Sequence, residues 1–180
     1  QMENFEPYAR KFSEVLENLA SRIDPEIHPL LVRKEEVLNT ELLLFTADRG
    51  LCGSFNTNLI AKGEKWIEEQ RRGGLNFSLT LVGKKGRDFF RKRDVSVTQT
   101  HTGVYGTIDI SFVNQMTNDL IERYLSGRVD EVYMIYSRFA GMARQEPTLV
   151  KLIPIEPPQR VEELGTADYC LLYTSPSPRD

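Results

Sequence analysis

Leu42-Leu43-Leu44-Phe45 is an unbroken apolar run between polar neighbours, and a run that short fits few structures. A half-buried strand would alternate, so the run fits a strand covered on both faces inside a parallel sheet. A parallel neighbour needs a crossover, and the sequence supplies one. After a glycine turn, Asn56 is placed to cap a helix whose Leu59, Ile60, Gly63, Trp66, Ile67 and Gln70 share one side, and Arg71-Arg72-Gly73-Gly74 closes it with cations and glycine. Residues 77–82 read as the next strand, 84–92 as a short basic helix carrying Phe89 and Phe90, and 95–97 as a third, weaker strand. Residues 99–107 read as a polar loop. Asp109 then opens a helix with Ile110, Val113, Met116, Leu120, Ile121 and Tyr124 inward, closed by Ser126-Gly127. Residues 131–139 and 148–155 read as strands paired as a hairpin beyond Gly141. Strands alternating with helices give an α/β layer fold with no dividing linker or internal repeat.

The first segment is the most regular. Phe5, Ala9, Phe12, Leu16, Leu19 and Ile23 recur at alternating intervals of four and three, the spacing of a coiled-coil seam, and Tyr8, Val15 and Ala20 widen the stripe. Two readings are open: a seam that wants a partner helix, or an ordinary amphipathic helix packed on its own domain. Pro25 and Pro29 end the helix and begin an extended link.

At 180 residues, 40% hydrophobic and 27% charged, the chain suits one globular domain with a sizeable core. Its formal charge of -3 gives no whole-chain attraction for nucleic acid or anionic lipid. No apolar run approaches the roughly 20 residues of a membrane span, and the first residues lack the order of a signal peptide. The expectation is a soluble chain, or one held peripherally by a partner. Two cysteines, Cys52 and Cys170, make no disulfide framework and point to a reducing compartment.

The turn Thr46–Leu59 occupies the place where α/β proteins hold phosphates, yet the residues for that chemistry are missing. A P-loop needs a lysine to reach the terminal phosphates and a hydroxyl to hold magnesium, and Gly50-Leu51-Cys52-Gly53-Ser54 has no lysine. Gly83-Lys84-Lys85-Gly86 lacks the earlier glycine and the hydroxyl after Lys84, and Gly-x-G-x-x-Gly is absent at both turns. Cys52 lies near a helix start and beside Arg49, which favours a thiolate. However, His28 and His101 are remote from it, so a small apolar residue buried under the turn is the better reading. One cysteine and two isolated histidines show no metal-ligand spacing. Lys84, Lys85, Arg87, Arg91, Lys92 and Arg93 form a basic cluster, suited to phosphate or an acidic partner, or else a solvated helix face. The expectation is no catalytic residue, no cofactor and no metal.

The nine residues Asp48-Arg49-Gly50-Leu51-Cys52-Gly53-Ser54-Phe55-Asn56 closely resemble the signature turn of the gamma subunit of F-type ATP synthases. The resemblance runs more loosely through residues 1–169, taking in Pro7-Tyr8, the strand ending at Ala47, the loop from Gly103 to Gly106, the helix near Asp109, the strand 132–139 and Ala167-Asp168-Tyr169. It implies a Rossmann-like α/β domain with a mixed, mainly parallel sheet, joined to part of an amino-terminal coiled-coil helix. Residues 1–24 would be the lower part of the first shaft helix and 25–169 the foot domain. The helix's partner would be a carboxy-terminal helix lying beyond this sequence. Residues 170–180 resemble a translated sequencing-adapter oligonucleotide and are read as a non-native tail.

The function implied is that of a non-catalytic rotor subunit transmitting torque between a proton-driven c-ring and an alpha/beta catalytic hexamer. Alpha, beta, epsilon and c-ring subunits would be its partners, with no nucleic acid and only peripheral membrane association. No inserted cysteine pair of the chloroplast type is present, which implies the cytoplasmic side of a bacterial inner membrane. Gly50 and Gly53 would permit backbone geometry and close helix-to-strand approach, leaving Asp48 and Arg49 for polar contacts with other subunits or the coil. Without its partner, the first helix would expose its apolar stripe and fray or self-associate. A Rossmann-type nucleotide-binding enzyme and a general interaction module are the competing classes.

Overall fold

The computed structural model describes residues 4–21, 29–50, 53–104, 109–141 and 144–155, apart from the side chains of residues 20 and 21. Among these, β1 (Asn39–Phe45), β2 (Asn76–Val82), β3 (Val97–His101), β4 (Glu131–Gly141) and β5 (Arg144–Ile153) form one sheet in the order β3-β2-β1-β4-β5. β1 runs parallel to β2 and β4, β2 runs parallel to β3, and β5 closes the edge antiparallel to β4. The mixed, mainly parallel sheet and its terminal hairpin are thus as expected. The helices are α1 (Glu6–Ser21), α2 (Phe55–Arg72), α3 (Lys84–Phe90) and α4 (Ile110–Leu125).

β1 is buried from Thr40 to Phe45 because both of its faces are covered. Alternation along the strand sends Leu42 and Leu44 toward Leu59, Trp66 and Ile67 of α2 and Phe90 of α3. Leu43 and Phe45 point the other way, into a cluster with Phe12 and Leu16 of α1 and Val113 and Leu120 of α4. The result is three layers, with α2 and α3 on one face and α1 and α4 on the other.

The place of α1 in that second cluster corrects one expectation. Phe5, Tyr8, Ala9, Phe12 and Leu16 are buried within the chain itself, so their stripe is not left exposed. Phe5 and Phe12 set their rings 5.3 and 6.2 Å from that of Phe45, and the Tyr8 hydroxyl accepts a hydrogen bond from the Asp109 amide at 3.1 Å. The physical reason is that an apolar sheet face and α4 offer the stripe a surface before any partner helix does. Leu19 is half-buried, and Ile23 lies outside the described residues.

Other differences are local. Ser54, not Asn56, occupies the cap position of α2, and it makes no side-chain cap bond. Asn56 Oδ1 instead accepts from the Ala47 amide at 2.8 Å, joining the start of α2 to the end of β1. Asp109 caps α4 as expected, accepting from the Phe112 amide at 3.2 Å. β3 runs to His101, where a polar loop was expected, because pairing with Leu79–Val82 outweighs its polarity on an exposed edge. β5 starts at Arg144, and Pro147 is tolerated there because an edge strand has one unpaired side. Ile110 is 46% exposed, while Thr117 is buried on the inner face of α4.

Two polar clusters brace the sheet. Glu41, buried in β1, accepts from the Thr80 hydroxyl at 2.6 Å and from Arg123 at 2.9 Å. At the amino ends of β1 and β4, Asp130 accepts from Lys34 Nζ and from the Leu38 and Asn39 amides at 2.8–3.0 Å.

Candidate functional site

After β3 the chain doubles back through α4 to place β4 on the far flank of β1. In open α/β sheets ligands settle at the carboxyl ends of the strands where the order reverses, so this corner is the place to look for chemistry. Three connections meet there: Thr46–Gly50 after β1, Gly83–Lys85 after β2 and the loop at Gly103 after β3.

Thr46 and Gly83 form its centre. The Thr46 amide donates to the Val82 carbonyl at 2.7 Å, and its buried hydroxyl donates to the same oxygen at 3.2 Å while accepting from the Gly86 amide at 2.8 Å. Gly83 has φ +104°, and a Cβ there would lie 1.9 Å from the Thr46 carbonyl oxygen. Only glycine fits. Asp48 then spans all three connections: one carboxylate oxygen accepts from the Lys84 amide at 2.8 Å and the other from the Gly103 amide.

These bonds answer whether the corner is built for an anion. The opening amides of a helix are its natural phosphate donors. In α3 the amides of Lys84, Lys85, Gly86 and Arg87 are taken by Asp48, the Ala47 carbonyl, Thr46 and the Gly83 carbonyl. A carboxylate of the chain itself sits where a phosphate would.

The adjoining crevice, between the start of α2 and the β4–β5 hairpin, is a cavity of ≈ 230 Å³ lined by Ser54, Phe55, Asn58, Ser137, Arg144, Gln145 and Pro147. That is below the roughly 300–1,000 Å³ of typical small-molecule sites. The perturbed groups lie elsewhere. Burial pushes the Glu41 carboxyl above its ordinary range, against the opposing pull of Thr80 and Arg123. Burial likewise lowers His101, partly offset by Asp119, and its Nε2 lies 3.1 Å from Gln99 Oε1 with its ring edge-on to Phe112. Among the described residues no group of three or more His, Cys, Asp or Glu side chains is placed to hold a metal, and no helix is long and apolar enough to cross a membrane.

Of the signature turn, Asp48, Arg49, Gly50, Gly53 and Asn56 are described and share this corner, while Leu51, Cys52 and also His28 lie outside the described residues. Gly53 has the positive φ expected of a glycine that permits turn geometry, but the other roles differ from those expected. Asp48, read as free for other subunits, has both oxygens engaged within the chain. Gly53 has φ +55° but open space around it, and a Cβ on Gly50 would meet only the tip of Lys85 at 3.3 Å. Close approach falls instead at Gly83 and at Gly86, where a Cβ would stand 3.0 Å from Thr46 Oγ1. Thr46 and Gly83 escape a reading that looks for ligand motifs. Their signal is a polar residue closing an apolar run and a glycine between a strand and a helix.

A family model described as ATP synthase matches residues 1–178. The ATP synthase gamma chain of Syntrophobacter fumaroxidans is 46% identical over 171 residues, covering 93% of this chain and 59% of that protein. The gamma chain of Desulforapulum autotrophicum is 42% identical over 172 residues, covering 93% and 57% respectively. The chain therefore spans less than two thirds of the length of these relatives. Among solved structures, a chain of the central stalk and c-ring of the Tetrahymena thermophila mitochondrial ATP synthase shares the fold with TM-score 0.54 and 19% identity, covering 81% of this chain and 66% of that one.

Proposed function

The chain belongs to the family of ATP synthase gamma chains, and from that membership we propose that it is a central-stalk rotor subunit that transmits torque and catalyses nothing by itself. On this reading the proton-driven c-ring turns the α/β foot domain, and the foot turns a shaft inside the alpha/beta hexamer. The shaft then biases the open and closed states of each catalytic subunit in turn. Residues 1–24 are the lower part of the first shaft helix, residues 25–169 the foot, and 170–180 a non-native tail. Epsilon joins the foot, and the assembly sits on the cytoplasmic face of a bacterial inner membrane.

One observation carries the non-catalytic part of this reading. At the corner where an α/β enzyme would receive a nucleotide, the opening amides of α3 are bound by the chain's own Asp48, Thr46 and neighbouring carbonyls. A part that bears twist gains from such cross-linking, because three loops tied by one carboxylate resist relative rotation of the elements they join. The seam residues Phe5, Ala9, Phe12 and Leu16 seat α1 on the sheet, which couples shaft to foot through a packed core.

The test is reconstitution: the full-length gene is co-expressed with alpha, beta and epsilon subunits, and ATP hydrolysis by the purified complex is measured. Activity should assemble only when this subunit is present. Nucleotide turnover by the isolated chain at a rate comparable with the complex would overturn the reading.

A further inference from the structure

The basic cluster of α3 is resolved into a defined surface. Gly86 and Phe90 are buried, so the opposite side of the helix faces outward. Lys84 and Lys85 stand in the first turn of α3, and Arg91 and Lys92 in the turn that follows its end at Phe90, where the Arg91 amide still donates to the Arg87 carbonyl; at about 100° per residue the four share an arc of about 120° on the outward side, with Asp88 between them. All four cations are exposed, and among the described residues none of the four forms an ion pair. Arg87 pairs with Asp88 at 2.8 Å, and Arg93 approaches Glu64 at 3.8 Å; Asp88 also feels the charges of Lys85 and Arg91, so one carboxylate stands within a cluster of cations that outnumber it. The backbone amides at the helix start are already taken, so the surface acts through side-chain charge alone.

We propose that this face of α3 and of the turn after it docks an acidic segment of a partner protein, its carboxylates meeting Lys84, Lys85, Arg91 and Lys92. Three observations favour a protein over a membrane or a nucleic acid. Phe90 is buried and Phe89 is half-buried beneath Arg93, 4.6 Å above its ring, so no aromatic is displayed for base stacking or bilayer insertion. Asp88 stands among the cations, Glu64 lies 3.8 Å from the neighbouring Arg93, and the whole chain is net negative, so a flat anionic surface would be repelled within a Debye length where a narrow acidic segment would not. The underlying loops are also pinned by Asp48 and Thr46, which fixes the cations' anchor points before binding. This inference goes beyond the rotor reading and does not depend on it.

The experiment uses the 180-residue chain with a fluorescent deca-glutamate peptide, read by anisotropy at about 50 and 200 mM salt. Vesicles of phosphatidylcholine with phosphatidylserine, and an oligothymidine, serve as competing probes. K84Q/K85Q/R91Q/K92Q should weaken peptide binding by about tenfold or more, and the pairs K84Q/K85Q and R91Q/K92Q should each lose part of it. R10Q/K11Q/R128Q/R144Q, which lowers the net charge equally, should change it by less than about twofold. Equal losses in both quadruple variants, no loss in the first, no peptide binding by the unmodified chain, or binding of vesicles or oligonucleotide at least as tight as the peptide would each overturn the proposal.

Discussion

Gly83 lies so close to Thr46 that a Cβ on the glycine would fall 1.9 Å from the threonine's carbonyl oxygen. The contact brings the ends of β1 and β2 into register with the start of α3, and it sets a sharp requirement on one residue. Gly83→Ala combines a positive φ with a collision against backbone, so it should destabilise the chain by about 3 kcal/mol or more. Gly53→Ala, with φ +55° but open space, should cost only about 1 kcal/mol. Urea unfolding of the two variants measures the contrast, and equal costs would contradict it.

Asp48 should show its role in hydrogen exchange. Asp48→Ala removes the acceptors of the Lys84 and Gly103 amides, so those two amides should exchange faster while stability falls by about 1–2 kcal/mol. If Asp48 served only contacts with other subunits, neither amide would change.

Glu41 and Asp130 should give pH dependences of opposite sign. Glu41 is raised above its ordinary 4.5 chiefly by burial, so its contribution is fully present below that value and is lost as pH rises through the higher native pKa. For Asp130, burial pushes upward but is outweighed by the bonds from Lys34, Leu38 and Asn39, leaving it below its ordinary 3.8. Its contribution is present above 3.8 and is lost as pH falls through the lower native value. In unfolding measured between about pH 3 and pH 8, Glu41→Gln should remove a decline that sets in as pH rises above 4.5, and Asp130→Asn should be costly near neutrality and nearly neutral in acid. Glu41→Ala, which strands the nearly buried Arg123, should cost about 3–5 kcal/mol at neutral pH.

The burial of α1 predicts that it melts with the sheet. Phe12 is fully buried against Phe45, so Phe12→Ala should cost about 3–5 kcal/mol. Amides from Ala9 to Leu16 should then exchange only through global unfolding. Exchange of these amides orders of magnitude faster than those of β1 would show instead that the helix frays without a partner.

The sequence by itself determined the layered class, because Leu42 to Phe45 fits a strand covered on both sides and its crossover helix announces itself in Leu59, Gly63, Trp66 and Ile67. It also determined the hairpin and the cap at Asp109, both of which rest on neighbours a few residues apart. What it left open depended on residues distant in the chain. The stripe from Phe5 to Leu16 has the spacing of a seam whichever surface it meets, and only the apolar face offered by Leu43, Phe45 and α4 decided that it packs at home. Asp48 reads as an exposed acid until Lys84 and Gly103 arrive from two other connections to bond it. Gly83 and Thr46, 37 positions apart, carry no mutual signal in the sequence, since their contact exists only once two parallel strands lie side by side. Periodicity is a local property of a chain, whereas close approach and the satisfaction of a buried donor are properties of the assembled core.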